Sequence, residues 1–361
     1  MAAREFWVAL QQTPGLGARR FLQLVKIFGS PHAVWEAPEK EILALEGLGK
    51  TAASLLKWRR QVNPAGIMAK LDAAGIRVLT LAEEAYPLEL KRIYDPPPVL
   101  YWRGCRLPGE GLKIAIVGTR RATAYGLKVA AELAADLAVA GVGVVSGLAR
   151  GIDAAAHRGA LQGQGATWGI LGCGVDVIYP PEHRELYRQV MDSGAIISEF
   201  PPGTPPDAGH FPARNRIISG LTSGTVVVEA AAKSGALITA DLALEQNRDV
   251  FAVPGPITSR SSQGANELIK QGARVVTGVE DILAEYTTAS LWSLSRAEQE
   301  VAVALTTTEE QVLAGLSVMP VHLDAILATA GLPPGELNTA LLQLEMRQLV
   351  RRLPGGFYVR C

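Results

Sequence analysis

Cysteine, net charge and aromatic side chains are all scarce in this sequence, and the first two scarcities exclude classes of protein. The three cysteines, Cys105, Cys173 and Cys361, stand far apart without C-x-x-C spacing, so neither a disulfide framework nor a zinc site is predicted. The 35 Lys and Arg residues are balanced by 35 Asp and Glu residues, so any affinity for nucleic acid must come from a local cluster of cations. We expect a protein of the reducing cytoplasm.

Long apolar runs are also missing. The N-terminus, MAAREFWVAL, contains acidic and basic residues, and Glu132 and Asp136 interrupt the Ala-rich stretch 129–145. We therefore expect no signal peptide and no membrane-spanning helix. The five histidines do not stand at H-x-x-x-H or H-E-x-x-H spacing, so no metal site is expected either.

Short apolar runs alternate with amphipathic segments from about residue 112 to residue 286. The runs cover residues 114–117, 142–145, 167–171, 195–197, 225–228 and 250–253. Nearly continuous apolar strands between helices are typical of a parallel sheet that is buried on both faces. The sequence therefore predicts an α/β fold with a doubly wound, extended Rossmann-like parallel sheet.

Other patterns flank this domain. Residues 1–75 are predicted to be helical, with Gly-x-Gly turns at 15–17 and 47–49 that resemble helix-hairpin-helix elements; such turns either hold a DNA phosphate or only join two helices tightly. Residues 76–111 form a proline-rich connecting segment and residues 287–310 a linker. Residues 311–361 show helix, helix and β-hairpin, the order of a winged-helix domain. Its second helix is poor in cations, having only Arg347, which favours protein contact or weak DNA binding over base reading.

Basic residues follow the glycine-rich turns of the α/β domain or open its helices. Backbone N–H groups at such helix starts point at anions, guanidinium groups bind phosphate oxygens in pairs, and the carboxyl ends of parallel strands share one edge of the sheet. We therefore predict one cationic groove for a run of phosphates, with a salt slope of about −3.5 if five cations contribute. Its five cations and three hydroxyl donors are Arg120, Arg150, Arg214, Arg216, Lys233, Thr123, Ser146 and Ser234.

Two enzymatic alternatives remain open. A dinucleotide-binding enzyme needs G-x-G-x-x-G and an acid after the second strand, whereas Thr119-Arg120 follow Gly118 and the second strand ends in Ser146-Gly147, so no nicotinamide cofactor is expected. The segment GTVVVE, ending at Glu229, resembles the G-T-x-x-E element of nucleotide phosphoribohydrolases of the lysine-decarboxylase-like group. There the glutamate stands one residue earlier, on the other face of the strand, and a P-G-G lead-in precedes it.

Two smaller features are interpreted as structural. Cys173 ends an apolar run between glycines, which favours a packed thiol over a nucleophile. Asp153 and His157 stand four residues apart on a predicted helix, and we expect them to pair with each other. No catalytic set emerges, and we expect a binding protein without enzymatic activity.

Six segments together resemble the family of DNA-processing protein A, also called Smf. In chain order they are IVGTRRATAYG, SGLARGIDAAAHRGAL, GCGVDVIYPPEHREL, FPARNRIISGLTSGTVVVEA, KSGALITADLALEQNRDVFAVPGPI and QGANELIKQGA. The resemblance spans the whole α/β domain and extends to the helical and winged-helix flanks. It implies a protein of bacterial natural transformation that binds and shields incoming single-stranded DNA, helps load the RecA recombinase, and forms a homodimer through the α/β domain.

The resemblance also assigns phosphate-binding residues. The family's G-S-R-x-x-S element falls on Gly118, Thr119, Arg120 and Thr123, with threonine in both hydroxyl places. The S-G-x-A-R-G element falls on Ser146, Gly147, Ala149, Arg150 and Gly151 unchanged, the R-N-R stretch on Arg214, Asn215 and Arg216, and the K-S-G turn on Lys233, Ser234 and Gly235.

Overall fold

The computed structural model describes residues 4–286, 306–316, 321–346, 349–353 and 355–360. The chain divides into two compact units, 1–286 and 287–361. Most of the predicted linker 287–310 lies outside the described residues, as do Arg347 and Cys361. The finer division at residues 75, 111 and 310 stays a prediction.

Six helices open the first unit. They are α1 (Arg4–Gln11), α2 (Ala18–Phe28), α3 (Pro31–Glu36), α4 (Glu39–Ala44), α5 (Lys50–Gln61) and α6 (Pro64–Ala73). Leu10, Phe21 and Leu55 are buried between them. The two Gly-x-Gly turns are neighbours, because Thr51 Oγ1 donates to the Gly15 carbonyl oxygen at 3.4 Å.

A twisted sheet follows, and its strands within the described residues are β1 (Arg77–Thr80), β2 (Val99–Gly104), β3 (Lys113–Val117), β4 (Gly143–Ser146), β5 (Thr167–Ile170), β6 (Ala195–Ser198), β7 (Gly224–Val227), β8 (Asp249–Ala252) and β9 (Arg274–Val275). Their order across the sheet is β1-β2-β6-β5-β4-β3-β7-β8-β9. From β6 to β9 all pairs are parallel, which confirms the predicted doubly wound α/β fold. β3 is buried along its whole length because it pairs on both sides and is covered on both faces.

The two edges of this sheet differ from the expectation. Within the predicted connecting segment, β1 and β2 extend the sheet itself, with β2 antiparallel to β6. β9 was not predicted, because its two residues are both exposed and give no apolar run.

The remaining helices of this unit are α7 (Leu88–Lys91), α8 (Ala124–Val139), α9 (Ile152–Gln162), α10 (Arg184–Ser193), α11 (His210–Gly220), α12 (Gly235–Glu245), α13 (Gln263–Lys270) and α14 (Val279–Leu283). Between strand and helix the chain turns at the carboxyl ends of β3, β4, β5, β6, β7 and β8. Because these strands are parallel, all six turns lie along one edge of the sheet. No helix in the described part of the chain is long and apolar enough to cross a membrane.

The second unit has the predicted winged-helix fold. Its elements are α15 (Thr307–Ala314), β10 (Val321–His322), α16 (Leu323–Ala330), α17 (Pro334–Met346), β11 (Val350–Leu353) and β12 (Phe357–Arg360). The sheet order is β10-β12-β11, and Ile326, Leu341 and Tyr358 are buried in the core. Residues 321 and 322 pair with β12 as a short strand directly before α16.

Candidate nucleic-acid interface

A groove of about 410 Å³ opens at the carboxyl edge of the sheet, where the turn after β3 meets the first turns of α11 and α12. The residues that line it are Val117, Gly118, Thr119, Arg120, Arg121, Ala149, Asp153, Phe211, Pro212, Arg214, Asn215, Ile218, Ser234, Gly235, Ala236, Ile238 and Thr239. The first turn of a helix carries backbone N–H groups without intrahelical acceptors, so both helix starts bring partial positive charge to the groove.

Arg214 is the most constrained cation of the groove. Its side chain is buried, and its Nη1 donates to the carbonyl oxygen of Gly147 at 2.8 Å and to that of Ile170. These carbonyls lie just past β4 and at the end of β5. Nε donates to Asn215 Oδ1 at 3.2 Å, whereas Nη2 has no acceptor among the residues the structure describes. Burial lowers the pKa of the guanidinium, and the nearby Asp153 opposes that shift.

Gly147 and Asp153 complete the setting of this arginine. A Cβ on Gly147 would collide with the Arg214 guanidinium, so a larger residue there would have to displace this side chain. The Gly147 N–H donates to Asp153 Oδ2 at 3.1 Å, which ties the turn after β4 to the first turn of α9. Burial raises the pKa of the Asp153 carboxyl, against the attraction of Arg214. Gly147 therefore leaves space for the Arg214 guanidinium, and its own N–H is already hydrogen-bonded to Asp153.

Phe211 provides an aromatic surface between two arginines. The guanidinium carbon of Arg120 lies 4.6 Å from the centre of the Phe211 ring, and that of Arg214 lies 5.9 Å from it. Sequence reasoning did not include Phe211 in the site. The signal was its place three residues before Arg214, one helical turn away on the same face.

Backbone contacts hold the turn after β3 in place. The two arginines of this turn, Arg120 and Arg121, are exposed. Thr119 N donates to the Glu229 carbonyl oxygen at 2.7 Å, and a Cβ on Gly151 would collide with the Thr119 carbonyl oxygen. Gly151 has a φ of +77°, which favours glycine on its own account. Arg121 also lines the groove; sequence reasoning missed it although it follows Arg120 directly.

Arg216 does not lie in the groove, and here the predicted line of five cations is wrong. It is buried, with Nη2 2.5 Å from Glu199 Oε2 and Nε 3.1 Å from Asp95 Oδ2. Burial raises the pKa of the Glu199 carboxyl, and Arg216 opposes this shift. The acids that hold Arg216 come from the end of β6 and from the connecting segment, and both are distant in sequence.

Arg150 and Lys233 are exposed but do not line the groove. Arg150 Nε lies 2.5 Å from Glu182 Oε1, in an ion pair whose side chains are about half exposed. This hydrogen bond raises the pKa of Arg150 and lowers that of Glu182. An exposed pair of this kind exchanges partners at little cost, so Arg150 remains accessible to an anion.

Of the three predicted hydroxyl donors, Ser234 lines the groove, whereas Ser146 and Thr123 do not. Ser146 is fully buried and donates to the Ile116 carbonyl oxygen at 2.6 Å, so it is not a phosphate donor. Thr123 caps α8 by accepting from Gly126 N at 3.2 Å. Ser234 caps α12 and also lines the groove.

Glu229, the acid of the enzymatic alternative, is buried as a structural anchor. Its carboxylate accepts from Thr123 N at 2.9 Å, from Thr123 Oγ1 at 2.6 Å and from Ser261 Oγ at 3.2 Å. It does not line the groove. The carboxylate therefore orders the start of α8 and is turned away from a ligand in the groove.

Two structural expectations have different outcomes. Cys173 is buried, and burial raises the pKa of its thiol to about 11, as befits a packed side chain. The predicted Asp153–His157 pair is wrong, because His157 Nδ1 instead bonds Thr167 Oγ1 at 2.7 Å. In the described residues no group of three or more His, Cys, Asp or Glu side chains is arranged to hold a metal.

Comparison with known proteins places the chain in a family. Residues 77–287 match the family model for DNA recombination-mediator protein A, and residues 296–356 match that for the DprA winged helix domain. Protein Smf of Escherichia coli is 42% identical over 100% of this chain and 96% of its own length. Protein Smf of Synechocystis sp. is 35% identical over 98% of both chains.

Two solved structures resemble the fold at useful identity. DNA processing protein A of Streptococcus pneumoniae has a TM-score of 0.69 and 32% identity, covering 79% of this chain and 98% of that one. The Helicobacter pylori protein, described for its unique single-stranded DNA binding mode, has a TM-score of 0.52 and 30% identity, covering 62% of this chain and 96% of that one. The chain belongs to the DNA recombination-mediator protein A family, DprA or Smf, and has the DNA-processing, recombination-mediator role of that family.

Proposed function

We propose that this chain binds single-stranded DNA by seating backbone phosphates in the groove. The observation that carries the proposal is that Arg214 and Arg120 line the same groove. Arg214 is buried with one guanidinium nitrogen left without an acceptor among the described residues, and Arg120 is exposed over Phe211. This nitrogen is not fully buried, and because Arg214 lines the groove, a phosphate oxygen there would supply its acceptor.

The surroundings of these arginines suit a chain of phosphates better than one small molecule. The groove is open, and it is lined by Arg121 and by the first turns of α11 and α12 in addition to Arg120 and Arg214. Phe211 offers one apolar surface to a base, and stacking on an aromatic ring is tolerant of base identity. We expect binding with little sequence preference, and weaker binding of duplex DNA.

The relatives add independent support. The Helicobacter pylori protein is described by its single-stranded DNA binding mode and is 30% identical to this chain. From the family we further propose that the chain acts in natural transformation as a homodimer that shields incoming single strands and loads RecA onto them. The test of loading is RecA filament formation on single strands with and without this protein, and Arg120→Ala should reduce the stimulation.

We also propose that the groove binds without cleaving. Glu229, the nearest counterpart of a catalytic carboxylate, is engaged by Thr123 and Ser261. Incubation with AMP should release no adenine, whereas a phosphoribohydrolase would release it.

The deciding experiment measures affinity for single-stranded DNA, duplex DNA and a mononucleotide across a salt series. Three groove arginines at about 0.7 per contact predict a slope of log affinity against log salt on the order of −2 for a short single strand. Arg120→Ala should lower this slope by about 0.7. Arg188→Ala is the control, since Arg188 is also exposed but pairs with Glu185 and Asp192 on α10, outside the groove. Affinity that does not depend on salt would refute the proposal.

A further inference from the structure

The second unit separates its charges by element. In its described residues, the arginines all lie on the β11–β12 hairpin: Arg351, Arg352 and Arg360. The acids all lie on or at its helices: Glu309, Glu310, Asp324, Glu336 and Glu345. The helix that would enter a DNA groove in the usual winged-helix arrangement, α17, thus has acids and no cation between residues 334 and 346. Its field repels phosphates, whereas the wing attracts them.

The strand register puts an arginine and an aromatic ring on the outer face of the wing. Val350 pairs with Arg360 and Arg352 with Tyr358, and Val350 and Tyr358 are buried against the helices. Because alternate residues of a strand face opposite sides, Arg351 and Phe357 lie together on the other face, as diagonal neighbours about 7–8 Å apart. Phe357 is 38% exposed, and its ring meets His322 edge-on at 5.0 Å.

The wing arginines are available to a ligand. Arg351, Arg352 and Arg360 are exposed, and none of them forms an ion pair with another described residue. By contrast, Arg216 in the first unit is held by two acids. Arg351 lies on the face of the exposed Phe357 ring, whereas Arg352 and Arg360 lie on the face of Tyr358 and Val350 and reach solvent at its margin. An arginine without an ion-pair partner beside an exposed aromatic ring can bind single-stranded nucleic acid, phosphate to arginine and base to ring.

We propose that the wing, and not helix α17, is the nucleic-acid contact of the winged-helix unit, and that its ligand is single-stranded. One base stacks on Phe357 beside a phosphate on Arg351, and the strand passes around the free edge of the hairpin at β11, so that further phosphates bind the exposed Arg352 and Arg360. The inference rests on the proposed single-strand binding of the groove and adds a second contact on the same ligand. Since both contacts belong to one chain, a strand long enough to reach both gains affinity through effective concentration.

The test uses the full chain and two lengths of single strand. A short oligonucleotide of about six nucleotides occupies one site, and one of about 40 nucleotides reaches both. We expect a salt slope on the order of −2 for the short strand and −4 for the long one, because three wing contacts add about 0.7 each. The triple variant Arg351→Ala, Arg352→Ala, Arg360→Ala should return the long-strand slope to about −2 and leave the short-strand slope unchanged.

Three further variants separate the effect of charge from that of folding, the effect of the ring from that of charge, and the wing from α17. Replacing the three arginines by lysine should keep the long-strand slope, which excludes misfolding of the wing as the cause of a loss. Phe357→Ala should weaken the long strand by about fivefold or more without changing its slope, as expected for a lost stacking contact. Replacing Glu336 and Glu345 on α17 by glutamine should change the slope little.

The outcomes distinguish this inference from the proposed function. If the alanine triple variant keeps the long-strand slope, the wing does not bind the strand and the inference fails, while the groove remains. The same holds if the α17 variant changes the slope as much as the wing variant, or if the wing variant weakens duplex DNA alone. If the short strand itself binds without salt dependence, the proposed function of the groove fails.

Discussion

The guanidinium of Arg214 rests against the backbone of Gly147, and its Nη1 donates to the Gly147 carbonyl oxygen at 2.8 Å. The glycine thereby sets the position of the one buried cation that lines the described groove. The same turn is tied to α9 through Asp153. A change at Gly147 would therefore act on a ligand in the groove through Arg214.

Gly147→Ala should destabilise the protein and weaken single-strand binding together. The added methyl group has no space beside the guanidinium, and overpacking of this kind costs about 1–3 kcal/mol. Urea unfolding measures the stability, and fluorescence anisotropy measures binding. Gly109→Ala is the control, because a Cβ there meets no atom within 4 Å. Unchanged binding by a folded Gly147→Ala protein would contradict the role given to Arg214.

Arg216→Ala should lower stability without changing the salt slope of DNA binding. Removing one member of a buried ion pair leaves charged partners behind, here Glu199 and Asp95, and costs about 3 kcal/mol. The measurement pairs chemical denaturation with the salt series on a short strand. A slope reduced by about 0.7, like that expected for Arg120→Ala, would show that Arg216 reaches a phosphate after all.

Glu229→Ala should destabilise the protein by about 1–3 kcal/mol, because Thr123 loses the acceptor that holds the start of α8. Thermal unfolding measures this loss. Neither the parent protein nor the variant should release adenine from AMP, so the variant also separates an anchoring role from a catalytic one. Adenine released by the parent and abolished in the variant would establish the enzymatic alternative.

His157 should make stability depend on pH. Burial is the main cause that lowers its pKa to about 3, with His183 and Arg214 adding to the shift. An unfolded histidine titrates near 6.5, so between about pH 3 and 6.5 the unfolded state binds the extra proton. Stability contributed by this group is therefore complete above about pH 6.5 and falls by about 1.4 kcal/mol for each unit below it.

The measurement is the free energy of unfolding from urea titrations at several pH values. His157→Gln removes the titrating group, so its stability relative to the parent should rise as the pH falls from 6.5 towards 4. A difference between the two proteins that stays constant with pH would mean that the buried imidazole is protonated in the folded state.

The α/β fold could be predicted because its evidence is local. Apolar runs such as residues 114–117 and 225–228 are continuous, as strands buried on both faces must be, and β3 and β7 follow them closely. β9 and the pairing of β2 with β6 could not be predicted, since two exposed residues give no signal and an antiparallel edge depends on contacts distant in sequence.

The gathering of basic residues at the carboxyl edge of a parallel sheet could be predicted from local sequence, because glycine-rich turns and helix starts can be recognised from neighbouring residues alone. Which of these cations line the groove depends on contacts between segments that are distant in sequence. Arg214 and Arg216 stand two residues apart on α11 and so project about 200° apart around its axis. One meets the ends of β4 and β5 and lines the groove, and the other meets Glu199 and Asp95. Charge is a property of the residue, but its availability depends on which distant acids the fold brings beside it.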